Sequence, residues 1–453
     1  MNIIVVGCGK IGTTIVSTLV SEGHDVTVLD NKPQIITEIT NIYDIIGVCG
    51  NATDCEALEE AGVDKADMFI AVTNSDELNM LSCFLAKKMG AKHTVARIRN
   101  PEYNDNSLSF MRQQLNLSMS INPELLVAQE LYNILKLPSA FKVEYFSRRN
   151  IEMIEMRLKE DSPLCGKKLS KLREKQNVEF LIGTVLRQGN VIIPDGSFEL
   201  KAGDTITIAA APSDMQKLLK GLGIITKKAR SIMILGGSTT AYYLAKMLLS
   251  SGNDVTIVEK DYARCEILND ILPKAVVVHG DGSQQETLLE EGLGGVDAFV
   301  ALTGMDEQNI LVSIFSSTHN VPKVITKINR DELLKMAERL GLDCTISTKS
   351  VTSDIILRYA RALENSRGSS IETLYKVMGG KVEALEFNVH EGARIIGTPI
   401  KNLQIKPGIL IAGIIRSRKK AIIPRGDDII NTGDRVIVLA AEQRLNDLSD
   451  ILI

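Results

Sequence analysis

The 453-residue chain has no run of about 20 apolar residues, the length a membrane-crossing helix requires. Its longest uncharged stretches, such as Ser231–Ala245 and Gln308–Pro322, are shorter and are broken by Ser, Thr, Asn or Gly. The opening Met1-Asn2-Ile3-Ile4-Val5-Val6-Gly7 lacks the basic segment of a secretory signal and reads as a strand from its second residue. Positive charge is not in excess. Fifty-two Lys and Arg stand against 56 Asp and Glu, a net charge of −4, so there is no electrostatic footprint for nucleic acid. The seven cysteines (8, 49, 55, 83, 165, 265, 344) include no C-x-x-C pair. They read as thiols in a reducing cytosol, not as a metal site or a disulfide framework. Catalytic groups are scarce too. The five histidines (24, 93, 279, 319, 390) follow no common pattern, and no Ser/His/Asp or Cys/His arrangement stands out. A dehydrogenase needs an acid/base group beside its nicotinamide. With none offered, the chain is expected not to be an enzyme.

What the sequence does contain is itself, twice. At an offset of 229, Ile3–Asp30 matches Ile232–Glu259 at eight of 28 positions, including Gly23-x-Asp25-Val26-Thr27 over Gly252-x-Asp254-Val255-Thr256. At an offset of 230, Ala61–Met80 matches Glu291–Ile310 at eight of 20, around a shared Thr-x-x-Asp-Glu-x-Asn. The same offset lays Gly183…Ile192-Ile193-Pro194-x-Gly196…Gly203-Asp204 on Gly413…Ile422-Ile423-Pro424-x-Gly426…Gly433-Asp434. The chain is a tandem duplication.

Each half has two kinds of unit. In the first unit the runs Ile3–Val6, Val26–Leu29, Ile45–Val48, Phe69–Val72 and Thr94–Ile98 alternate with helix-length segments. Continuous apolar strands with intervening helices predict a doubly wound parallel α/β sheet. The second unit has alternating strands at Ile151–Leu158 and Thr205–Ala209 and a Pro194-Asp195-Gly196 turn, which predicts a small α+β module. Composition puts the junctions near Leu137-Pro138-Ser139, Lys227-Lys228 and Asn365–Ser370. The expected units are 1–137, 138–226, 227–367 and 368–453.

Gly7-Cys8-Gly9-Lys10-Ile11-Gly12 follows a strand and opens a helix, and the next strand ends in Asp30, 18 residues after Gly12. This is G-x-G-x-x-G in the context that gives it meaning. Gly7 permits the tight turn, Gly9 lets backbone approach a pyrophosphate, and Gly12 allows close helix–strand packing. Free N–H groups at the helix start favour phosphate. An Asp30 carboxylate accepts from ribose hydroxyls and repels a 2′-phosphate, so NAD(H), ADP or ATP is expected and NADP is not. At the fourth strand's end, Thr73-Asn74 reads either as a ligand contact or as the start of a capped helix carrying Asp76 and Glu77. Arg97 and Arg99 read as a cationic pair on one strand face or as solvated surface arginines. Lys10 faces phosphate or solvent. In the second half Gly236-Gly237-Ser238-Thr239-Thr240-Ala241 puts Ser238 at the place of Gly9, while Glu259 keeps the ribose carboxylate. Thr303-Gly304 and Lys327 replace Thr73-Asn74 and Arg97. Weaker binding is expected there.

The alternating order, the glycine loop with Asp30, the Thr-x-x-Asp-Glu-x-Asn segment, Ala96-Arg97 and the Ile-Ile-Pro…Gly-Asp modules together resemble the TrkA family over essentially the whole chain. Its members are the peripheral cytoplasmic subunits of Trk potassium uptake. The resemblance implies alternating RCK (KTN) N-terminal Rossmann domains and RCK C-terminal domains. It implies a homo-oligomeric ring at the inner face of the cell membrane, beneath a separate potassium-translocating subunit of TrkH/TrkG type. It also implies NAD(H) as ligand, with ATP or ADP as further regulators. By resemblance the first-half contacts are Gly7, Cys8, Gly9, Lys10, Ile11, Asp30, Thr73, Asn74, Arg97 and Ile98, beside Gly12 of the loop. Their second-half counterparts are Gly236, Gly237, Ser238, Thr239, Thr240 and Glu259. The glycine fingerprint alone also fits a soluble NAD-dependent oxidoreductase, and a scaffold with vestigial sites is a third reading.

Overall fold

The computed structural model describes residues 1–101, 103, 105–136, 142–146, 150–175, 178–222, 229–365, 371–416 and 421–453. The expected junctions at 137–139 and 227–228, and all of 365–370 but Asn365, lie outside the described residues. The first sheet has six strands: β1 (Asn2–Val6), β2 (Asp25–Asp30), β3 (Ile46–Cys49), β4 (Met68–Ala71), β5 (His93–Arg97) and β6 (Met119–Ile121). All are parallel, in the order β3-β2-β1-β4-β5-β6. Between and after them run α1 (Lys10–Ser21), α2 (Pro33–Ile42), α3 (Cys55–Glu60), α4 (Asp76–Met89), α5 (Asp105–Gln114) and α6 (Pro123–Lys136). Helices cover both faces, which is why every residue of Ile3–Val6 and Met68–Ala71 is buried. The strand order reverses between β1 and β4, and ligands of such sheets gather at that crevice. Two details differ from the sequence reading. The short β6 left no apolar run to find, and β5 ends at Arg97, so Arg99 lies beyond the strand.

A five-stranded antiparallel sheet follows, made of β7 (Lys142–Phe146), β8 (Ile151–Arg157), β9 (Phe180–Arg187), β10 (Asn190–Ile192) and β11 (Thr205–Ala210) in the order β10-β9-β11-β8-β7. Helices α7 (Leu169–Lys175) and α8 (Pro212–Gly221) accompany it. The second half repeats the parallel sheet with β12 (Ser231–Leu235), β13 (Asp254–Glu259), β14 (Val276–His279), β15 (Ala298–Ala301), β16 (Lys323–Lys327) and β17 (Thr345–Ile346). Their order, β14-β13-β12-β15-β16-β17, is that of the first sheet. Its helices are α9 (Thr239–Ser250), α10 (Tyr262–Ile271), α11 (Gln285–Glu290), α12 (Asp306–Thr318), α13 (Asp331–Arg339) and α14 (Thr348–Asn365). The last sheet is again antiparallel: β18 (Ile371–Val377), β19 (Val382–Asn388), β20 (Ile409–Ile415), β21 (Ala421–Ile422) and β22 (Arg435–Ala441), ordered β18-β19-β22-β20-β21. Among its described residues this last unit carries only short 3-10 turns and no α-helix.

The halves exchange helices. Val127, Ala128, Leu131, Ile134 and Leu135 form one apolar stripe of α6 at helical spacing. That stripe packs on the second half, in one core with Ala241, Leu244, Ala245 and Leu248 of α9. In return Ile356 and Ala360 of α14 enter the first-half core beside Ile15, Val16 and Leu19 of α1. Each fully buried aliphatic side chain contributes about 1.5–3 kcal/mol relative to exposure, so neither parallel sheet is complete without the other half. The antiparallel sheets also share a core, in which Phe146, Ile151 and Met153 meet Ala412, Ile437 and Leu439. Their close approach explains the repeated pair Gly183 and Gly413. A Cβ on Gly183 would lie 2.3 Å from Leu439 Cδ1, and one on Gly413 would lie 2.4 Å from Ile151 Cδ1.

An ion cluster ties these layers together. The Arg361 guanidinium on α14 forms two hydrogen bonds to Glu383 on β19, at 2.8 and 3.0 Å, and donates to Glu22 at the end of α1. Lys376 and Arg444 also pair with Glu22. Burial raises the pKa of Glu22, but Arg361, Lys376 and Arg444 outweigh it and hold the carboxyl below its usual value.

Two outcomes follow from this packing. Leu131→Ala, which empties part of the second-half core, lowers unfolding free energy by about 2–5 kcal/mol in denaturant titration. Arg361→Met takes the shared cation from buried Glu22 and half-buried Glu383, leaves Glu22 with Lys376 and Arg444 alone, and costs about 1–3 kcal/mol. The Glu22 contribution is fully present above the ordinary carboxylate pKa and is lost as pH falls through the depressed value. Glu22→Gln therefore flattens the acid limb of a stability–pH curve, and an unchanged limb contradicts the assignment.

Candidate nucleotide clefts

The first glycine loop is shaped by contacts that only glycine permits. Gly7 has φ +86°, and a Cβ there would meet the Thr73 backbone nitrogen at 2.9 Å. A Cβ on Gly12 would lie 2.0 Å from the Gly7 carbonyl oxygen, so helix and loop are in direct contact. Gly9 is different, since a Cβ there meets nothing within 4 Å. It is the N-cap of α1 without a side-chain hydrogen bond, so no side chain at that position competes for the first amides of the helix. Free amides and the positive end of the helix dipole make such a helix start suited to an anion.

Asp30 closes the other side. One carboxylate oxygen accepts the Cys8 N–H at 2.8 Å and the other accepts the Lys32 N–H at 3.0 Å. A carboxylate has about four acceptor positions, which leaves capacity for ribose hydroxyls. Cys8 itself is buried, and burial together with the Asp30 charge pushes its thiol up to about 12, so it is no nucleophile at neutral pH. Lys10 is exposed and Ile11 is half-buried. Ile98 is buried in the core, with its N–H bonded to the Ile121 carbonyl.

The Thr73–Asn79 segment proves to be a staple. The side chain of Asn79, fully buried, accepts from the Thr73 N–H at 2.8 Å and the Thr73 hydroxyl at 2.7 Å, and donates to the Thr73 and Arg97 carbonyls. It thereby fastens the end of β4 to the end of β5. Ser75 caps α4 through the Leu78 N–H, and Asn74 is left exposed. Asp76 accepts the backbone N–H groups of Arg99 and Asn100. Arg97, 7% exposed, donates to the Thr73 carbonyl at 3.2 Å, and its Nε has no hydrogen-bond partner. Burial lowers its pKa, and the Glu124 charge on α6 opposes that shift. Arg99 reaches the Asn74 carbonyl. Both arginines thus converge on the β4–α4 turn although only one lies on the strand.

The second half repeats this frame. Asn309 staples Thr303 to Lys327 through the same four bonds. Lys327 donates to the Leu302 carbonyl at 3.1 Å, and its burial lowers its pKa against the charges of Asp306 and Glu124. Glu259 accepts the N–H groups of Gly237 and Asp261. Ser238 is the N-cap of α9, its hydroxyl accepting the Ala241 N–H at 3.3 Å. Gly236 is buried at φ +96°, Thr239 is half-buried and Thr240 is buried. Here the loop opens onto a cleft of about 470 Å³. Sequence reasoning missed several of its lining residues: Lys260, Arg264, Asp281 and Gln308. Their signal was the position next to Glu259 and the Gly280-Asp281-Gly282 turn after β14. Among the described residues no group of three or more His, Cys, Asp or Glu is arranged to hold a metal, and no helix is long and apolar enough to cross a membrane.

Family comparisons agree with this duplicated frame. The TrkA-N domain matches residues 3–113 and 232–348, and the TrkA-C domain matches 153–223 and 384–453. The chain is 33% identical, over the full length of both, to a protein of Archaeoglobus fulgidus named Trk system potassium uptake protein TrkA homolog. It is 31% identical to the Trk system potassium uptake protein TrkA of Vibrio alginolyticus, covering 98% of this chain and 96% of that one. A solved structure described as the GsuK channel bound to NAD aligns with a TM-score of 0.63 at 18% identity, over 97% of this chain and 76% of that one. At that identity the likeness is one of fold.

The staple gives a direct test. Asn79→Ala strands the Thr73 and Arg97 groups it satisfied, so unfolding free energy falls by about 1–3 kcal/mol or more. Asn309→Ala has a comparable effect in the second half. Urea titration of the two variants reads it, and a neutral substitution at either position contradicts the role.

Proposed function

The chain belongs to the TrkA family of Trk-system potassium uptake proteins, and from that footing we propose that it is a nucleotide-sensing regulatory subunit of potassium transport. In this reading it takes NAD(H), or ATP or ADP, as a signal and gates a separate membrane subunit of TrkH/TrkG type. It works as a homo-oligomeric ring at the cytoplasmic face of the membrane, built from units 1–137, 138–226, 227–367 and 368–453. The observation that carries the reading is the first glycine loop. Gly9 caps α1 with no side-chain bond and with open space where a Cβ would be, opposite a carboxylate already oriented by two backbone amides.

The residues present suit a dinucleotide. Gly7, Cys8, Gly9, Lys10, Ile11 and Gly12 would hold the pyrophosphate on backbone amides, Asp30 the adenosine ribose, and Thr73, Asn74, Arg97 and Ile98 the far side. A bound nicotinamide would supply redox capacity, but the Cys8 thiol of the loop is held protonated. The nucleotide is thus a ligand and not a reactant. In the second cleft Gly236, Gly237, Ser238, Thr239, Thr240 and Glu259 would take the matching positions, with the Ser238 hydroxyl engaging an amide that Gly9 leaves free.

Asp30→Ala should weaken NADH binding at the first cleft by about 1–3 kcal/mol, the scale of a lost hydrogen bond to a charged group. Calorimetry on the full chain measures it, with NADPH as comparison. Equal or tighter NADPH binding by the unaltered protein overturns the ribose assignment, and turnover of NADH with small alcohols or aldehydes overturns the regulatory reading.

A further inference from the structure

The two clefts share a frame but not a chemistry, and the difference is concentrated at one end. Lys260, Arg264, Asp281 and Gln308 line the second cleft at positions where the first half has Asn31, Ile35, Asn51 and Leu78. Strand register fixes part of this equivalence, since Glu259 pairs with His279 as Asp30 pairs with Cys49. The ribose carboxylate marks the adenosine end of such a site. Three of the four replacements, Lys260, Arg264 and Asp281, lie close to it in the fold, on the segments that follow β13 and β14.

Arg264 is held there by the glycine loop. Its Nε donates to the Gly237 carbonyl at 2.6 Å, while the N–H of the same Gly237 is bonded to Glu259. One residue of backbone therefore orients both the guanidinium and the carboxylate. A Cβ at position 237 would lie 2.7 Å from Leu268 Cδ1 and 3.0 Å from Glu259 Oε2, so both side-chain ends would have to shift. Lys260 pairs with Asp281 at 2.7 Å across the same rim. At the opposite end the second cleft has less to offer. The Ser238 hydroxyl engages the Ala241 amide, and Gly304 replaces Asn74.

We propose that the second-half cleft binds adenine mononucleotides by their adenosine end, with Arg264 as the specificity-determining contact. The proposal rests on the reading of both clefts as nucleotide sites. Arginine carries a planar, weakly hydrated cation that stacks on aromatic faces, and a purine presents such a face whatever phosphates it bears. With its Nε tethered, Arg264 loses little further freedom on contact. Recognition then resides in base and ribose, and phosphate number has little weight.

The test uses the full-length chain carrying Asp30→Ala, which weakens the first cleft, titrated with AMP and with ADP by calorimetry. The expected result is binding at the second cleft with AMP and ADP affinities within about threefold of each other. Arg264→Met should weaken both by about tenfold or more, and Arg264→Lys, which keeps charge but not the plane, should not restore them. NADH binding at the first cleft of the chain with Arg264→Met alone should stay unchanged, which shows that the fold is intact. The proposal is overturned if ADP binds about tenfold or more tighter than AMP, a comparison that needs no substitution at Arg264. It is also overturned if Arg264→Met matches its parent, or if only the first cleft binds. Absence of nucleotide binding at both clefts of the unaltered chain overturns the broader functional reading as well.

Discussion

Everything in this molecule depends on an exchange of helices between its halves. A parallel sheet must be covered on both faces, and each sheet here takes part of its cover from the other repeat: α6 on the second half, α14 on the first. The duplication is therefore more than two domains on one chain. Leu131 and Ile134, encoded in the first half, are core residues of the second. The antiparallel sheets make the same commitment through a shared core, in which glycines 183 and 413 leave room for Leu439 and Ile151. Neither half has a complete interior alone.

That constraint gives the first nucleotide cleft a mechanical connection. Helix α1 begins at the glycine loop and ends at Glu22, where Arg361 of α14 links it to Glu383 of β19. Along its length α1 packs on α14, with Ser353 bonded to Thr18. In the proposed reading, a ligand that ordered the N-terminal turn of α1 would act on an element whose far end is anchored in the last antiparallel sheet. Ordering by one ligand that reaches a distant element is coupling through conformational entropy, even without a large displacement.

Much of this could be read in the residues, and the reason differs from part to part. The parallel sheets were legible because double-sided burial makes their strands continuous apolar runs, and the five runs in the first half each lie within one residue of an observed strand. The glycine loop was legible because Gly7 and Gly12 answer specific steric demands, while Gly9 leaves the start of α1 open. The Thr-x-x-Asp-Glu-x-Asn repeat was visible, but its meaning was not. The pattern marks a buried asparagine that binds two strand ends, a role defined by partners 6 and 18 residues away. The helix exchange was illegible in principle, because the stripe on α6 shows an apolar face without saying which sheet it meets. Arg264 escaped notice for a related reason. It acts through a backbone carbonyl 27 residues earlier, and no side-chain motif records such a contact.

The most direct test of the account is hydrogen exchange on the full-length chain with and without NADH. The account predicts slower exchange in the Gly7–Gly12 loop and also in α14 and β19, which hold the far end of its helix. Protection confined to residues 1–136, with α14 and β19 unchanged at saturating NADH, would contradict it.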